Sequence, residues 1–210
     1  MDFASIVYGC YLFLLSFLLA KLEIQIEGAY GWAEKLPTWR ITDPRITRFL
    51  LGKPLTGYHF YLNLVLLAFF HLPLLLASAS VVLESEILYS YAICCVVWDF
   101  LWFVLNPSFG LKRYNRREVW WFKHWVLGLP FEYYVGGLFS FIFHMIPAIL
   151  GKMSPINITL AWATKTLTIV ILTAIVTLFV THTNKNRHRN LFFEKHPDSD
   201  KHKGRSENFS

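Results

Sequence analysis

Long apolar stretches alternate with polar connections along this chain, and five of the stretches are long enough to cross a bilayer. A transmembrane helix needs about 20 mostly apolar residues. The five stretches are residues 3–21, 58–83, 87–106, 130–150 and 157–181. Each is apolar around its whole circumference, unlike a surface helix of a soluble protein. The pattern predicts an all-α, polytopic membrane bundle of five transmembrane helices, forming a single domain over residues 1–183.

Two segments fall outside the spans. Residues 23–57 are too many for a plain connection, so we expect an interfacial segment that is folded or functional. Within it, Glu23–Glu27 alternates polar and apolar residues, which is typical of a short strand. Residues 184–210 are polar and rich in His, Lys and Ser, which predicts a disordered, basic cytoplasmic tail.

The Lys and Arg residues indicate the orientation in the membrane. They concentrate in residues 22–57, 107–129 and the segment after 182, whereas the alternate connections carry almost none. Positive residues favour the cytoplasmic side. Five spans satisfy this rule with the N-terminus outside and the C-terminus inside, whereas four spans would place one basic segment on the wrong side.

Composition agrees with a multi-pass protein of a plasma or inner membrane. Hydrophobic residues form 55% of the chain and charged residues 16%, and soluble domains carry about 25% charged residues. The N-terminus lacks the basic region of a signal peptide, so we interpret residues 3–21 as a retained span. The net charge of +6 suits attraction to anionic membrane lipids, and no nucleic-acid-binding module is visible.

Asp99 is the residue that demands an explanation. It is the one charged residue in the predicted third span, where a carboxylate costs roughly 2.5–3.5 kcal/mol on insertion scales. The helix should end at Asn106, before Pro107. Asp99 should therefore lie about two turns from the cytoplasmic end, where a partner or a function must compensate its cost.

Other polar and aromatic residues are predicted at a similar depth. Glu132 begins the fourth span, and His59 and Asn63 share one face of the second span. We predict Asp99 and Glu132 as catalytic residues. The predicted substrate-binding residues are His59, Asn63, Trp98, Trp102, Asn106, His124, Tyr133 and Tyr134.

Structural explanations for the same residues stay open. Glu132 could be a first-turn acid favoured by the helix dipole. Asp99 could form a structural ion pair with a basic residue such as Arg40, Arg116 or Lys123. On the outer side, Lys165 could pair with Glu84 or Glu86.

No metal or cofactor is predicted. The spans contain no pair of histidines at helical spacing, and the chain has no phosphate-binding loop or dinucleotide glycine pattern. A metal site would have to be assembled from separate segments.

Residues 58–150 resemble the lycopene cyclase domains of the small membrane type. Those domains carry Trp-Asp near the end of one helix and Leu-Pro-x-Glu-Glu at the start of the next, separated by a loop that contains Trp. This chain has Trp98-Asp99, then Trp120-Trp121, then Leu129-Pro130-Phe131-Glu132, with Tyr133 in place of the second Glu. The resemblance implies a hydrophobic isoprenoid that is protonated by a carboxylic acid. Aromatic walls would be supplied by Trp98, Trp102, Tyr133 and Tyr134.

Two functions therefore remain open. The first is a membrane enzyme that acts on a lipid or isoprenoid, a hydrophobic small molecule, from the inner leaflet through Asp99 and Glu132. The second is a non-catalytic scaffold or complex subunit, with a membrane-protein partner or a second copy of the chain, in which Asp99 forms an ion pair.

Overall fold

The computed structural model describes residues 2–47 and 51–195, with side chains described through Asn184. It is mostly helical. The helices are α1 (Phe3–Glu27), α2 (Pro44–Thr47), α3 (Gly57–Phe70), α4 (Pro73–Leu76), α5 (Val81–Leu105), α6 (Phe131–Ile149) and α7 (Pro155–Lys195), with a 3-10 turn at Leu111–Arg113. Two short antiparallel pairs join β1 (Arg40–Ile41) to β2 (Leu55–Thr56), and β3 (Trp125–Val126) to β4 (Leu129–Pro130).

Four helical stretches of the described chain are long and apolar enough to cross a membrane. They are Phe3–Glu27, Gly57–Leu76, Val81–Leu105 and Pro155–Asn184. The fourth predicted span forms the 19-residue helix α6. It is not among these four, because Glu132, His144 and other polar residues lower its mean hydropathy. The chain thus has the helix lengths and composition of a membrane protein. Its core lies around α5, in whose apolar stretch 61% of the residues are buried, against 11–28% in the other three.

Cross-helix contacts fix the helix directions. In α1 and α5, Tyr8 bonds Ser90 (2.8 Å) and Gly28 accepts from Asn106 (2.7 Å), so the two helices run parallel. Asn63 of α3 accepts a hydrogen bond from Tyr91 of α5, and Tyr133 of α6 donates one to Asp99 of α5. These contacts, with those of His71 and His144 to Glu84 and Glu86, make α3 and α6 antiparallel to α5.

Helix α7 is divided between two compact units, residues 1–173 and 174–210. Within the first unit, Trp162 packs edge-on against Phe141 of α6, with ring centroids 4.9 Å apart. Lys165 Nζ lies 2.6 Å from Glu86 Oε1, so of the two partners considered for Lys165 the structure shows Glu86. The second unit contains the end of α7, which runs as a helix to Lys195 beyond the predicted boundary at 183. Residues 196–210 of the predicted tail lie outside the described residues.

Several predicted boundaries were wrong. Residues 23–27 are not a strand but the last turns of α1, because side chains four residues apart on one helical face continue its buried stripe. The second predicted span breaks after Phe70, where Pro73 cannot continue the hydrogen-bond ladder. Helix α5 begins at Val81, capped by Ser80, so Glu84 and Glu86 belong to the helix and not to a connection. Its end at Leu105, before Asn106-Pro107, was predicted correctly.

Candidate functional site

The polar site lies where five parts of the chain meet at one end of the bundle. Helices α1 and α5 end there, and α3 and α6 begin there. The last turns of α1 bring Glu23 and Glu27, and the segment before β2 brings Lys53. The first turns of α3 and α6 bring His59 and Glu132, which join Asp99 of α5.

A cavity of about 430 Å³ opens between these groups. That volume is within the range of pockets that hold small organic ligands, roughly 300–1,000 Å³. Its polar lining consists mainly of Glu23, Lys53, His59, Asn63, Asp99 and Glu132. Its apolar lining includes Val96, Trp98, Phe139 and Phe143. Phe139 and Phe143 lie about two and three turns along α6 from Glu132, so the cavity runs from a charged end to an apolar, aromatic end.

Asp99 is held by a tyrosine of the neighbouring helix. The Tyr133 hydroxyl donates to Asp99 Oδ2 at 2.5 Å. The edges of Phe100 and Phe122 pack against the Tyr133 ring, with centroid separations of 6.4 and 5.8 Å. The aromatic packing restricts Tyr133, so the direction of the hydrogen bond to Asp99 is fixed by the protein.

Of the basic partners suggested for Asp99, Arg40 donates to the backbone of Ala33 and Thr38 instead. Lys123 lies 6.0 Å from the centre of the Trp120 ring, and Arg116 is exposed.

Lys53 is the cation of the cavity. Its Nζ lies 3.8 Å from Glu132 Oε1 and 3.7 Å from the centre of the Phe122 ring, and Trp32 covers it at 4.6 Å. Burial lowers the pKa of the Lys53 ammonium, and the nearby Asp99 and Glu132 carboxylates oppose this shift. Both oxygens of Glu132 are buried without a hydrogen bond from any described residue. A ligand that enters the cavity therefore meets a carboxylate with free acceptor positions.

His59 faces two glutamates of α1. Its Nε2 lies 3.7 Å from Glu23 Oε1 and 3.7 Å from Glu27 Oε1, and its Nδ1 lies 2.7 Å from Thr56 Oγ1. Trp32 stacks on the imidazole, with ring centroids 4.1 Å apart and planes 18° from parallel. One ring nitrogen thus meets a hydroxyl and the other meets two carboxylates.

Most of the sequence-predicted site residues gather at this cavity. Asp99, Glu132, His59, Asn63, Trp98 and Tyr133 all line it. Trp102 lines a second space of about 20 Å³ beside it, between His59 and the α1 glutamates.

The structure places three predicted residues elsewhere. Asn106 is used at the end of α5, where its side chain donates to Gly28 and accepts from the Ser108 amide. His124 is exposed, since it lies in the connection directly before β3 and not on a helix that faces the cavity. The Tyr134 hydroxyl donates to the Val126 carbonyl, since Tyr134 is one residue along α6 from Tyr133 and points away from the cavity.

Glu23, Glu27, Lys53 and Trp32 were not predicted as site residues. The signal for the two glutamates was present, because Ser5, Gly9, Ser16 and Ala20 mark a buried face of small residues in α1. Continued at helical spacing, that face reaches Glu23 and Glu27. Nothing in the sequence signalled Lys53 or Trp32, which reach the site through the irregular chain between α1 and α3.

Comparison with protein-family models, with curated proteins and with solved structures finds no match to this chain.

Proposed function

We propose that this protein is a five-span membrane enzyme that transforms a lipid or isoprenoid from the inner leaflet, with Asp99 and Glu132 as its acid and base. The observation that carries the proposal is the cavity of about 430 Å³, which joins both carboxyl groups to an aromatic, apolar end. A long apolar substrate would occupy the aromatic end and place its reacting group at the charged end. Membrane lipids are the partners that this function requires.

The helix directions support five crossings, and the basic segments support the orientation. Helices α1, α5 and the first part of α7 run one way and α3 and α6 the other, as five successive crossings require. With the basic segments at the cytoplasmic face, the N-terminus is outside, the C-terminus is inside, and the cavity lies in the inner half of a plasma or inner membrane. A substrate dissolved in the inner leaflet could reach it without leaving the bilayer.

The proposed chemistry follows from the different neighbours of the two carboxyl groups. Asp99, in its protonated form, transfers a proton to a carbon–carbon double bond, and the resulting carbocation is stabilised by aromatic faces such as that of Trp98. Glu132 lies next to the Lys53 ammonium and then removes a proton from a neighbouring carbon. The net reaction is an isomerisation or cyclisation without a redox partner, as the resemblance to membrane lycopene cyclase domains implies.

The scaffold alternative receives less support. It requires Asp99 in an ion pair made for assembly, but Asp99 takes its hydrogen bond from Tyr133 of the same chain and opens on the cavity. No second copy or other membrane protein is needed to satisfy it.

The test compares lipid extracts from cells that express the wild type, Asp99→Asn or Glu132→Gln, by mass spectrometry. Each substitution removes a proton-transfer group while keeping the side-chain shape. We expect a product that is present with the wild type and falls by at least 100-fold with either variant, since general acid–base catalysis contributes about 10²–10⁴-fold. Glu118→Gln is the control, because Glu118 is exposed and pairs with Arg113. Lipid profiles that are identical for all four proteins would reject the proposal.

A further inference from the structure

We propose that Glu23, Glu27 and His59 form a binding site for a divalent transition-metal ion such as Zn²⁺ or Mn²⁺. The site lies beside the cavity and is argued from its own geometry, so it does not depend on the reaction proposed above. Imidazole and carboxylate donors together suit Zn²⁺, Fe²⁺ and Mn²⁺.

The donor atoms are close to metal-binding geometry. One ligand atom from each of the three residues lies within 4.8 Å of the others. The two distances from His59 Nε2 to the glutamate oxygens are both 3.7 Å. Ligands at 2.0–2.2 Å from one ion are about 3.0–3.5 Å apart. The two His–Glu distances would have to shorten by a few tenths of an ångström, and the Glu23–Glu27 separation by at most about 1–2 Å, to bring all three donors into coordination.

The glutamates are buried without the cations that usually accompany them. The side chains of Glu23 and Glu27 are 9% and 3% exposed, and the ion-pair neighbour of both in the described chain is His59. Lys53 is engaged with Glu132. Glu27 accepts from the Ala33 amide at 2.5 Å, whereas Glu23 accepts no hydrogen bond within the described residues, because the nearby Trp98 indole N–H is out of hydrogen-bond geometry. A divalent ion would neutralise both carboxylates and satisfy Glu23.

The surroundings of His59 match those of a metal ligand. Metal-binding histidines usually donate their second ring N–H to an acceptor, which fixes the tautomer and the ring direction. Thr56 Oγ1, 2.7 Å from Nδ1, can be such an acceptor, and in the tautomer with Nδ1 protonated the Nε2 lone pair would face the glutamates. Trp32 stacks on the ring and is itself held by its hydrogen bond to the Pro54 carbonyl.

The arrangement has room for the ion. A space of about 20 Å³ between Glu23, Glu27 and His59 is also lined by Asp99. A space of this size holds about one water molecule, so it can take one ion in its place. An ion bound there would lie next to Asp99.

A similar cluster at the opposite end of the bundle provides a control. There His144 Nδ1 lies 3.5 Å from Glu86 Oε2, but Lys165 Nζ is bound to the same carboxylate at 2.6 and 2.7 Å. The lysine already supplies the positive charge, so this second His–Glu pair should not bind a metal.

The experiment measures metal binding by the full-length protein in detergent. Metal-stripped protein is titrated with Zn²⁺, Mn²⁺ or Co²⁺ against a competing chelator dye, and bound metal is counted by mass spectrometry after desalting. We expect one ion per chain for the wild type and for His144→Gln, and at least a 100-fold weaker affinity for His59→Gln, Glu23→Gln and Glu27→Gln. Thr56→Val should weaken binding by about 10–100-fold through the orientation of His59, and Thr56→Ser should restore it.

The wild type also supplies a readout that does not depend on the variants folding. Co²⁺ bound to a nitrogen and two carboxylates should give visible absorption, and it should quench Trp32, which stacks on His59. Quenching should be smaller in Trp32→Phe, in which Trp98 and Trp102 remain near the site. No binding by the wild type, or equal binding by His59→Gln and His144→Gln, would overturn the proposal. Neither result would affect the lipid-extract test, which reads Asp99 and Glu132.

Discussion

Tyr133 connects the two features that make Asp99 unusual, its position in an apolar helix and its place on a cavity. Its hydroxyl supplies the 2.5 Å hydrogen bond to the carboxyl group, and its ring closes the space between Phe100 and Phe122. Tyr133 thereby brings a hydroxyl donor to a site that has four carboxyl groups, Glu23, Glu27, Asp99 and Glu132.

Replacing Tyr133 by Phe tests the hydrogen bond alone. The substitution keeps the ring but leaves Asp99 Oδ2 without its donor, so we expect the free energy of unfolding to fall by about 1–3 kcal/mol. Thermal or denaturant unfolding in detergent measures the change. Tyr134→Phe is the matched control, because its hydroxyl bonds the Val126 carbonyl at an exposed position and should matter by less than about 0.5 kcal/mol. Equal losses for the two variants would contradict this role for Tyr133.

Lys53 predicts a pH dependence of stability. Burial lowers its pKa in the folded protein, whereas the unfolded chain keeps a value of about 10.4. Between the two values the unfolded state binds more protons, so the free energy of unfolding rises with pH, by at most about 1.4 kcal/mol per pH unit for one group. Below the folded pKa both states are protonated and this contribution to the slope disappears.

Melting temperatures measured up to pH 10 for the wild type, Lys53→Met and Lys112→Met check this dependence. We expect Lys53→Met to lose part of the rise with pH and Lys112→Met, at an exposed position, to keep it. The same slope in all three proteins would show that Lys53 is not desolvated in the folded state.

At the scale of elements, a close approach of α5 and α6 sets the position of Asp99 against Tyr133. A Cβ added at Gly136 would lie 2.4 Å from Val96 Cγ2, whereas one added at Gly137 would meet nothing within 4 Å. The β3–β4 hairpin directly precedes α6 and sets its starting direction. Its turn residues Leu127 and Gly128 both have positive φ, 48° and 81°. This is the backbone of a two-residue turn that matches the twist of the strands.

Gly136→Ala should separate the two helices and cost about 1–3 kcal/mol of stability, as is usual for overpacking. Gly137→Ala, one residue away on the same helix, should be neutral or slightly stabilising. Removing the obstructing methyl groups with Val96→Ala should restore much of the loss in the double variant, which a double-mutant cycle of unfolding free energies would detect. Additive effects of Val96→Ala and Gly136→Ala would contradict the contact.

The same elements show what sequence patterns could and could not establish. The length of the apolar stretches predicts the long helices, and Pro107 predicts where α5 ends. The alternating helix directions then predict that Asp99, His59 and Glu132 lie at the same end. The end of α1 was misassigned because Glu23–Glu27 satisfies a strand alternation as well as a helical face over so short a stretch. The prediction for Asn106 was wrong because a polar residue at this position suits a helix cap as well as a cavity lining. Lys53 could not be predicted, since irregular chain has no periodicity from which to infer direction.

At the scale of the whole molecule, the described contacts place the polar site and the Glu86–Lys165 pair at opposite ends of the bundle. Helix α6 decides the topology. If it crosses the membrane, the connections at residues 77–80 and 151–154 lie on the same side, and residues 107–129 lie on the other. If α6 does not cross, the connection at 151–154 joins residues 107–129, and the chain has four spans.

Cysteine labelling can separate these two topologies. Cys10, Cys94 and Cys95 are first replaced by Ala, and single cysteines are introduced as Ser80→Cys, Lys112→Cys and Lys152→Cys, all at exposed positions. With five spans and the N-terminus outside, a membrane-impermeant maleimide should label positions 80 and 152 in intact cells, and position 112 only after the cells are opened. Labelling of 80 without 152 would establish that α6 does not cross. Labelling of 112 alone in intact cells would invert the orientation and place the Asp99 cavity in the outer leaflet, because the basic segments and the cavity lie at the same end of the helices.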